Sequence, residues 1–106
     1  MMTEKDREIA CKLKSRLLEV VSLVDFKVYG SRAKGAAEEY SDMDVFVEVE
    51  TINSELKKKI RETAWEVGFE YLIHISPLIF SRHEVEESPL RASNIIRNIV
   101  QEGVAV

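Results

Sequence analysis

The alternation of apolar and polar positions first predicts a long N-terminal helix, over residues 3–24. Thr3 is a suitable N-cap, since its hydroxyl can accept a hydrogen bond from a backbone N–H of the first turn. Apolar side chains recur every three or four positions, as they do on one face of a helix. This stripe is expected to face the core and consists of Ile9, Leu13, Leu17, Val20 or Val21, and Val24.

Two strands and a second helix are predicted next. Residues 26–29 and 43–49 are rich in Val and Phe, and the second run alternates apolar with polar residues as a strand does. Residues 54–67 have helical periodicity, and Gly68 is predicted to end this helix. Its outward face carries a solvated lysine run: Lys57, Lys58 and Lys59.

The C-terminal third of the chain predicts a strand and a final helix. Residues 71–80 form an apolar run rich in Ile and Leu, in which Pro77 indicates an edge strand or a bulge. Ser88 is the expected N-cap of the last helix, with Pro89 in its first turn and Gly103 at its end. Helices and strands of these lengths, in alternation, indicate a small α/β or α+β domain.

Composition adds limits to this picture. The chain has 106 residues, of which 45% are hydrophobic, with no repeat or linker, so a single domain over residues 1–106 is expected. Fifteen basic against nineteen acidic residues argue against binding to a nucleic-acid backbone. No apolar run has the length of a membrane span and the first residues are charged, so a cytoplasmic location is expected.

The clearest chemical pattern is a Gly-Ser pair followed, after ten residues, by an Asp-x-Asp pair. Asp42 and Asp44 begin the predicted second strand, where residues two apart point to one face, roughly 6–7 Å apart. Two carboxylates on one face suit Mg²⁺, which proteins hold by one or two carboxylates together with substrate phosphates.

The Gly30-Ser31 pair lies where the first strand ends and a short helix can begin. A strand that opens into a helix exposes backbone N–H groups, and a glycine lets a phosphate approach them closely. The Ser31 hydroxyl can donate a further hydrogen bond, while Arg32 and Lys34 place positive charge nearby.

These residues resemble the minimal nucleotidyltransferases of the DNA polymerase β superfamily. The resemblance extends to the SRAKG continuation, to Ser41, to Ser76-Pro77 and to the closing IVQEGV run. It implies a mixed sheet flanked by helices, in the manner of a polymerase palm. It also implies transfer of a nucleoside monophosphate from a nucleoside triphosphate with one or two Mg²⁺ ions, ATP being the expected donor and AMP the expected group.

The resemblance also implies a partner and site roles. Many minimal members are encoded beside a helical partner of the HEPN type, and some act as antitoxins that adenylylate it. In this chain the family scheme would place Gly30 and Ser31 on the triphosphate, Arg32 and Lys34 as accessory cations, and Asp42 and Asp44 on metal.

A third carboxylate, common in active family members, is not evident. Aligning the third predicted strand with the family pattern places His74 at this position. Glu48 lies roughly 13 Å beyond Asp44 along a strand, too far to share an ion. Glu70, at the start of the predicted third strand, is an alternative, whereas Glu38 and Glu39 are expected in solvent.

Two functions therefore stay open at this point. One is an active nucleotidyltransferase. The other is a domain that keeps the architecture of the nucleotide site but acts by docking on a partner. Trp65 and Phe69 are interpreted as packing residues rather than as platforms for a base.

Overall fold

The computed structural model describes residues 1–38 and 40–106, so the expectation for Glu39 lies outside the described residues. The described chain forms a four-stranded mixed sheet with helices on both faces, as the resemblance implied. Its elements are α1 (Glu4–Val20), β1 (Leu23–Tyr29), α2 (Ser31–Lys34), β2 (Met43–Val49), α3 (Ser54–Tyr71), β3 (Ile75–Ser81), α4 (Arg82–Glu86), a 3-10 helix (Pro89–Ala92), α5 (Asn94–Glu102) and β4 (Val104–Ala105). The strand order is β3-β2-β1-β4, in which β2 pairs parallel to β3 and antiparallel to β1.

The first helix begins as predicted and ends earlier. The Thr3 side chain accepts a hydrogen bond from the Asp6 backbone N–H at 3.1 Å, which confirms the cap. Helix α1 stops at Val20, and Leu23 already pairs with Val49 in the sheet. The helical spacing of Val24 was therefore misleading, because this residue belongs to strand β1.

Helix α3 continues past Gly68, so the predicted end of this helix was wrong. The helix ends at Leu72 in the left-handed conformation, and the Ile73 N–H then donates back to the Gly68 carbonyl at 2.9 Å. A Cβ at Gly68 would lie 2.6 Å from the Ile73 oxygen. The glycine thus allows the chain to fold back over the helix, and β3 begins at Ile75 rather than at residue 71.

The C-terminal prediction was correct at its ends and incomplete between them. Ser88 caps the 3-10 helix, a second cap at Ser93 starts α5, and Gly103 ends it. Helix α4 and strand β4 were not predicted; β4 pairs antiparallel with β1. Strand β3 lies at the edge of the sheet, which confirms the expectation drawn from Pro77.

The two faces of the sheet are covered unequally. Helices α1 and α3 pack together over one face and bury an apolar core that includes Leu13, Leu17, Phe26, Val28, Val45, Val47, Ile60 and Val67. Helix α4 contacts β2 and β3, and helix α5 contacts β1. The ring centroids of Phe46 on β2 and Phe80 on β3 lie 5.9 Å apart. In the described part of the chain, no helix has the length and apolarity needed to cross a membrane.

Candidate functional site

The turn from β1 into α2 is shaped by Gly30. Its φ of +75° and ψ of −156° form a conformation that residues with a Cβ rarely adopt. A Cβ at this position would also lie 2.8 Å from the Asp44 Oδ2 atom. Glycine is therefore required twice, for the backbone angle and for the close approach of the Gly30-Ser31 turn to the carboxylate.

Strand register places the two halves of the sequence motif at one edge of the sheet. Tyr29, the last residue of β1, pairs with Asp44 near the start of β2. Asp44 in turn pairs with Ser76 on β3. The turn that holds Gly30 and Ser31, the Asp pair and the start of β3 thus meet at the same edge.

The electrostatics of Asp44 show that the two aspartates interact. Burial raises the pKa of Asp44, the nearby Asp42 carboxylate raises this pKa further, and His74 lowers it. Asp44 is half-buried, whereas Asp42 precedes the strand and is exposed. The Asp42 carboxylate thus disfavours the charged form of Asp44, and a cation bound at the pair would offset this cost.

The donor set fits one Mg²⁺ ion completed by substrate. Asp42 and Asp44 provide hard oxygen ligands, and Mg²⁺ commonly takes its other ligands from water and phosphate oxygens. Among residues 1–38 and 40–106, no group of three or more His, Cys, Asp or Glu side chains is arranged to hold a metal. The residues present therefore fit one ion at the Asp pair, and they supply no separate cage for a second.

The position opposite Asp44 is occupied by Ser76, which the sequence interpretation missed. His74 lies before β3, is exposed, and accepts a hydrogen bond from the Met43 N–H through its backbone carbonyl at 2.9 Å. The strand register thus places Ser76 opposite Asp44, while His74, two residues earlier, still lowers the pKa of the Asp44 carboxyl. Glu70 lies on α3 and is exposed, so its placement at the start of a strand was wrong.

Arg32 differs most from its expected role. Its side chain is buried at 7% exposure and donates to Asp6 Oδ1 at 2.7 Å. Two further N–H groups donate to the Ser41 carbonyl at 2.9 and 2.7 Å. A guanidinium held in this way positions the loop before Asp42, and the expected contact with phosphate does not follow from its placement.

The other two residues of the turn remain accessible. Ser31 is half-buried, and none of the described residues hydrogen-bonds its hydroxyl. Lys34 is exposed, with its ammonium 3.4 Å from the Glu102 carboxylate. A surface pair of this kind is weak and opens readily, so Lys34 can turn toward a bound anion.

A cavity of about 670 Å³ adjoins the site on the β3 side. Its lining includes Ser76 and His74 as well as Trp65 and Phe69. The two aromatic side chains are 65% and 66% exposed, so the interpretation of both as packing residues was wrong. Their positions one turn apart on α3, off the buried stripe of Ile60, Ala64 and Val67, are the signal that could have revealed this.

Comparison with known proteins identifies the fold and the family of the chain. No curated protein sequence matches the chain. One similar solved structure is that of a protein proposed to be a minimal nucleotidyltransferase, with a TM-score of 0.70 and 20% identity, covering 100% of this chain and 97% of that one. Another is from a proposed nucleotidyltransferase of Sulfolobus solfataricus, with a TM-score of 0.48 and 16% identity, covering 95% and 82%.

The first similarity establishes a shared fold. The family model for the nucleotidyltransferase domain matches residues 8–106, which is nearly the whole chain and includes the Gly-Ser turn and the Asp pair. The chain therefore belongs to the nucleotidyltransferase domain family.

Proposed function

We propose that this protein is a Mg²⁺-dependent nucleotidyltransferase that transfers AMP from ATP to an acceptor, as a single domain over residues 1–106. An acceptor oxygen attacks the α-phosphorus and releases its proton to water. The bond from the α-phosphorus to the oxygen that bridges to the β-phosphate breaks, and pyrophosphate leaves. Such transfers depend mainly on positioning and charge neutralisation, which this site is built to provide.

The observation that carries the proposal is the contact between the Gly-Ser turn and the Asp pair. The absence of a Cβ at Gly30 lets the turn approach within contact of the Asp44 carboxylate. A phosphate chain that lies along the turn would thus place its next phosphate beside Asp44. With no side chain at Gly30, a phosphate can approach the backbone N–H groups of the turn beside the half-buried acid.

The remaining residues have distinct roles in this scheme. Ser31 donates its hydroxyl to the outer phosphates, and Lys34 adds positive charge after leaving Glu102. Arg32 acts as a positioning residue for the loop that carries Asp42. Mg²⁺ held by Asp42 and Asp44 would neutralise phosphate charge as the leaving group departs.

For the acceptor we propose a side chain of a helical partner protein of the HEPN type, which the chain would inactivate as an antitoxin. The support for this part is the small size of the domain and its resemblance to minimal members of the superfamily. Acidic residues outnumber basic ones by nineteen to fifteen, which favours a protein over a nucleic acid as acceptor.

Calorimetry tests the proposal directly. The protein is titrated with each nucleoside triphosphate, with and without Mg²⁺, beside an Asp42→Asn/Asp44→Asn double variant. We expect Mg²⁺-dependent binding of ATP that the double variant loses. Equal ATP binding by the variant, or binding that ignores Mg²⁺, would contradict the assigned site.

One observation favours a second candidate, a domain of this family that acts by docking on a partner. Ser76 rather than a carboxylate faces Asp44, and among the described residues no third acid joins the Asp pair. Loss of such a residue weakens the hold on a second ion and the activation of the acceptor.

The two candidates differ in what the double variant retains. If the protein acts by transfer, co-expressed HEPN-type partner stays active beside the Asp42→Asn/Asp44→Asn variant and carries no added AMP mass. If it acts by docking, the same variant still binds and inactivates the partner. Intact mass of the partner and co-purification from one expression strain give both readouts.

A further inference from the structure

The cavity beside Ser76 has the features of a small-molecule site. Its volume of about 670 Å³ falls within the range of ligand pockets, roughly 300–1,000 Å³. Helix α3 and the start of β3 contribute to its lining, together with Tyr40 and Ser41 of the loop before Asp42. The exposed apolar side chains that line it are Tyr40, Trp65, Phe69 and Leu72.

Two aromatic rings of the lining stack on each other, and the pair keeps an outer face exposed on which another flat ring could stack. Trp65 and Phe69 lie nearly parallel, at 17° between planes, with centroids 5.4 Å apart. Stacked rings on the surface of a small protein leave apolar area in water unless a ligand or partner covers them. Arg61 lines the same cavity, and none of the described residues forms an ion pair with it. Its guanidinium is available to donate hydrogen bonds to ring nitrogen or oxygen atoms.

The cavity lies at a suitable distance from the proposed phosphate site. Tyr29, Asp44 and Ser76 are partners across three neighbouring strands, so Gly30 and the cavity lie on opposite sides of Asp44. Two strand spacings amount to roughly 10 Å. An extended nucleoside triphosphate can span this distance with its outer phosphates at Gly30 and its base beyond Ser76.

We propose that this cavity binds the nucleobase of the donor nucleotide, with the ring stacked on Trp65 and Phe69. The inference rests on the proposed function, because the base is the one part of the reaction that must be a planar aromatic ring. Stacking accepts any base, while Arg61 and His74 in the cavity lining favour rings with exposed hydrogen-bond acceptors.

The only tryptophan of the chain provides the probe. Trp65 fluorescence is recorded during titration with ATP and, separately, with inorganic tripolyphosphate, each with Mg²⁺. ATP is expected to change the emission saturably, since its base contacts the indole. Tripolyphosphate is expected to bind by calorimetry without changing the emission, because it lacks a base.

Two variants and one control test the energetics. Trp65→Leu is expected to weaken ATP binding by on the order of tenfold, as loss of one stacking platform does, and to leave tripolyphosphate binding unchanged. Phe69→Leu keeps the fluorophore and removes the second ring, with a smaller effect of the same kind. Leu18→Ala alters an apolar side chain on α1 that is 57% exposed and lies outside the cavity lining, and it should change neither affinity.

The outcomes separate this inference from the proposed function. If ATP binds with Mg²⁺ and requires Asp44, but Trp65→Leu leaves its affinity unchanged and the emission does not respond, the base lies elsewhere and only the cavity assignment fails. If neither ATP nor tripolyphosphate binds with Mg²⁺, both proposals fail. A saturable change in Trp65 emission with ATP, together with weaker ATP binding by calorimetry in both Trp65→Leu and Phe69→Leu, supports both proposals.

Discussion

Strand β2 presents two faces of opposite chemistry. The face toward α1 and α3 is wholly apolar and buried: Met43, Val45, Val47 and Val49. The opposite face carries two carboxylates, Asp44 and Glu48, on either side of the buried Phe46 ring. Because alternate residues of one strand serve two environments, the first face stabilises the fold while the second holds charge in partly dry surroundings.

The two carboxylates of the second face also differ from each other. Burial raises the pKa of both groups. Asp44 lies at the end of the strand against Gly30, whereas Glu48 is 5% exposed and its Oε2 atom has no hydrogen-bond partner in the described chain. A raised pKa alone therefore does not mark a site; what distinguishes Asp44 is the adjacent Gly30-Ser31 turn.

The largest expected effect separates Asp44 from Asp42. Asp44→Asn should weaken Mg²⁺-dependent ATP binding by on the order of a hundredfold or more, because Asp44 is the half-buried ligand of the pair and even residues that only orient a ligand contribute about 10–100-fold. Asp42→Asn, at the exposed position, should weaken Mg²⁺-dependent ATP binding less. Calorimetry of both variants measures the difference, and Glu19→Gln on the surface of α1 is the control. Equal losses would contradict the assigned order of the two aspartates.

The same Asp44→Asn variant should gain stability at neutral pH. The folded pKa of Asp44 is raised, so its charged form destabilises the fold once the pH exceeds the folded pKa. Wild-type stability falls as the pH rises through the interval between the unfolded and the folded pKa, and the variant lacks this loss. Urea unfolding at several pH values tests the sign; a variant less stable at pH 7 would contradict it.

Removal of the Arg32 guanidinium should have the next largest effect, a loss of both folding stability and ATP binding. Arg32→Met leaves Asp6 buried without its partner, which costs about 3 kcal/mol in the free energy of unfolding. Freed from the Ser41 contacts, the loop before Asp42 should also bind ATP and Mg²⁺ more weakly. Adding Asp6→Asn should restore part of the stability and none of the binding. Full recovery of binding by the double variant would show that Arg32 has no positioning role.

The apolar face should respond in stability alone. Val47→Ala removes two methyl groups from a fully buried site and is expected to cost about 2 kcal/mol. Its matched control is Val100→Ala on α5, where the side chain is 57% exposed and the change should be close to zero. Neither variant should alter ATP affinity at a temperature where both are folded. A loss of affinity in Val47→Ala without unfolding would mean that the two faces are not independent.

The smallest predicted effect is a gain in folding stability on substitution of Glu48. Its pKa is raised by burial and then by Asp25 and Glu86, so the charged form is disfavoured in the fold. Glu48→Gln should stabilise the protein by about 1 kcal/mol at pH 7, because a neutral group costs less to bury. The gain should shrink as the pH falls below the folded pKa, where the wild-type carboxyl is also neutral. Unfolding curves at pH 4 and pH 7 test this, and unchanged ATP binding would keep Glu48 outside the site.

Local sequence pattern predicted much of the fold, because helix caps and strand alternation depend only on residues that are close in the sequence. Thr3, strand β2 and the end of α5 at Gly103 were placed correctly for this reason. The ends that were misplaced depend on tertiary contacts. Val24 fits a helix until β1 pairs with β2, and Gly68 resembles a helix end until Ile73 folds back onto it.

The sequence indicated the Gly-Ser turn and the Asp pair of the candidate site, but not the surroundings of these residues. The Gly-Ser spacing and the Asp pair are sequence properties, and the structure brings Gly30 and Asp44 into contact. Pairing across strands is not visible in a single sequence, so the position of Ser76 opposite Asp44 was not predicted. The burial of Arg32 and the exposure of Trp65 likewise depend on which helix packs against which surface.

The shared contacts of Arg32 have a mechanical consequence. One guanidinium joins α2, which follows the Gly-Ser turn, to α1 through Asp6 and to the loop before Asp42 through the Ser41 carbonyl. These segments cannot separate without breaking the buried ion pair between Arg32 and Asp6. The Gly-Ser turn and the loop before Asp42 should therefore move as one body. When a nucleotide binds, hydrogen exchange at the amides of both segments should slow together rather than in sequence.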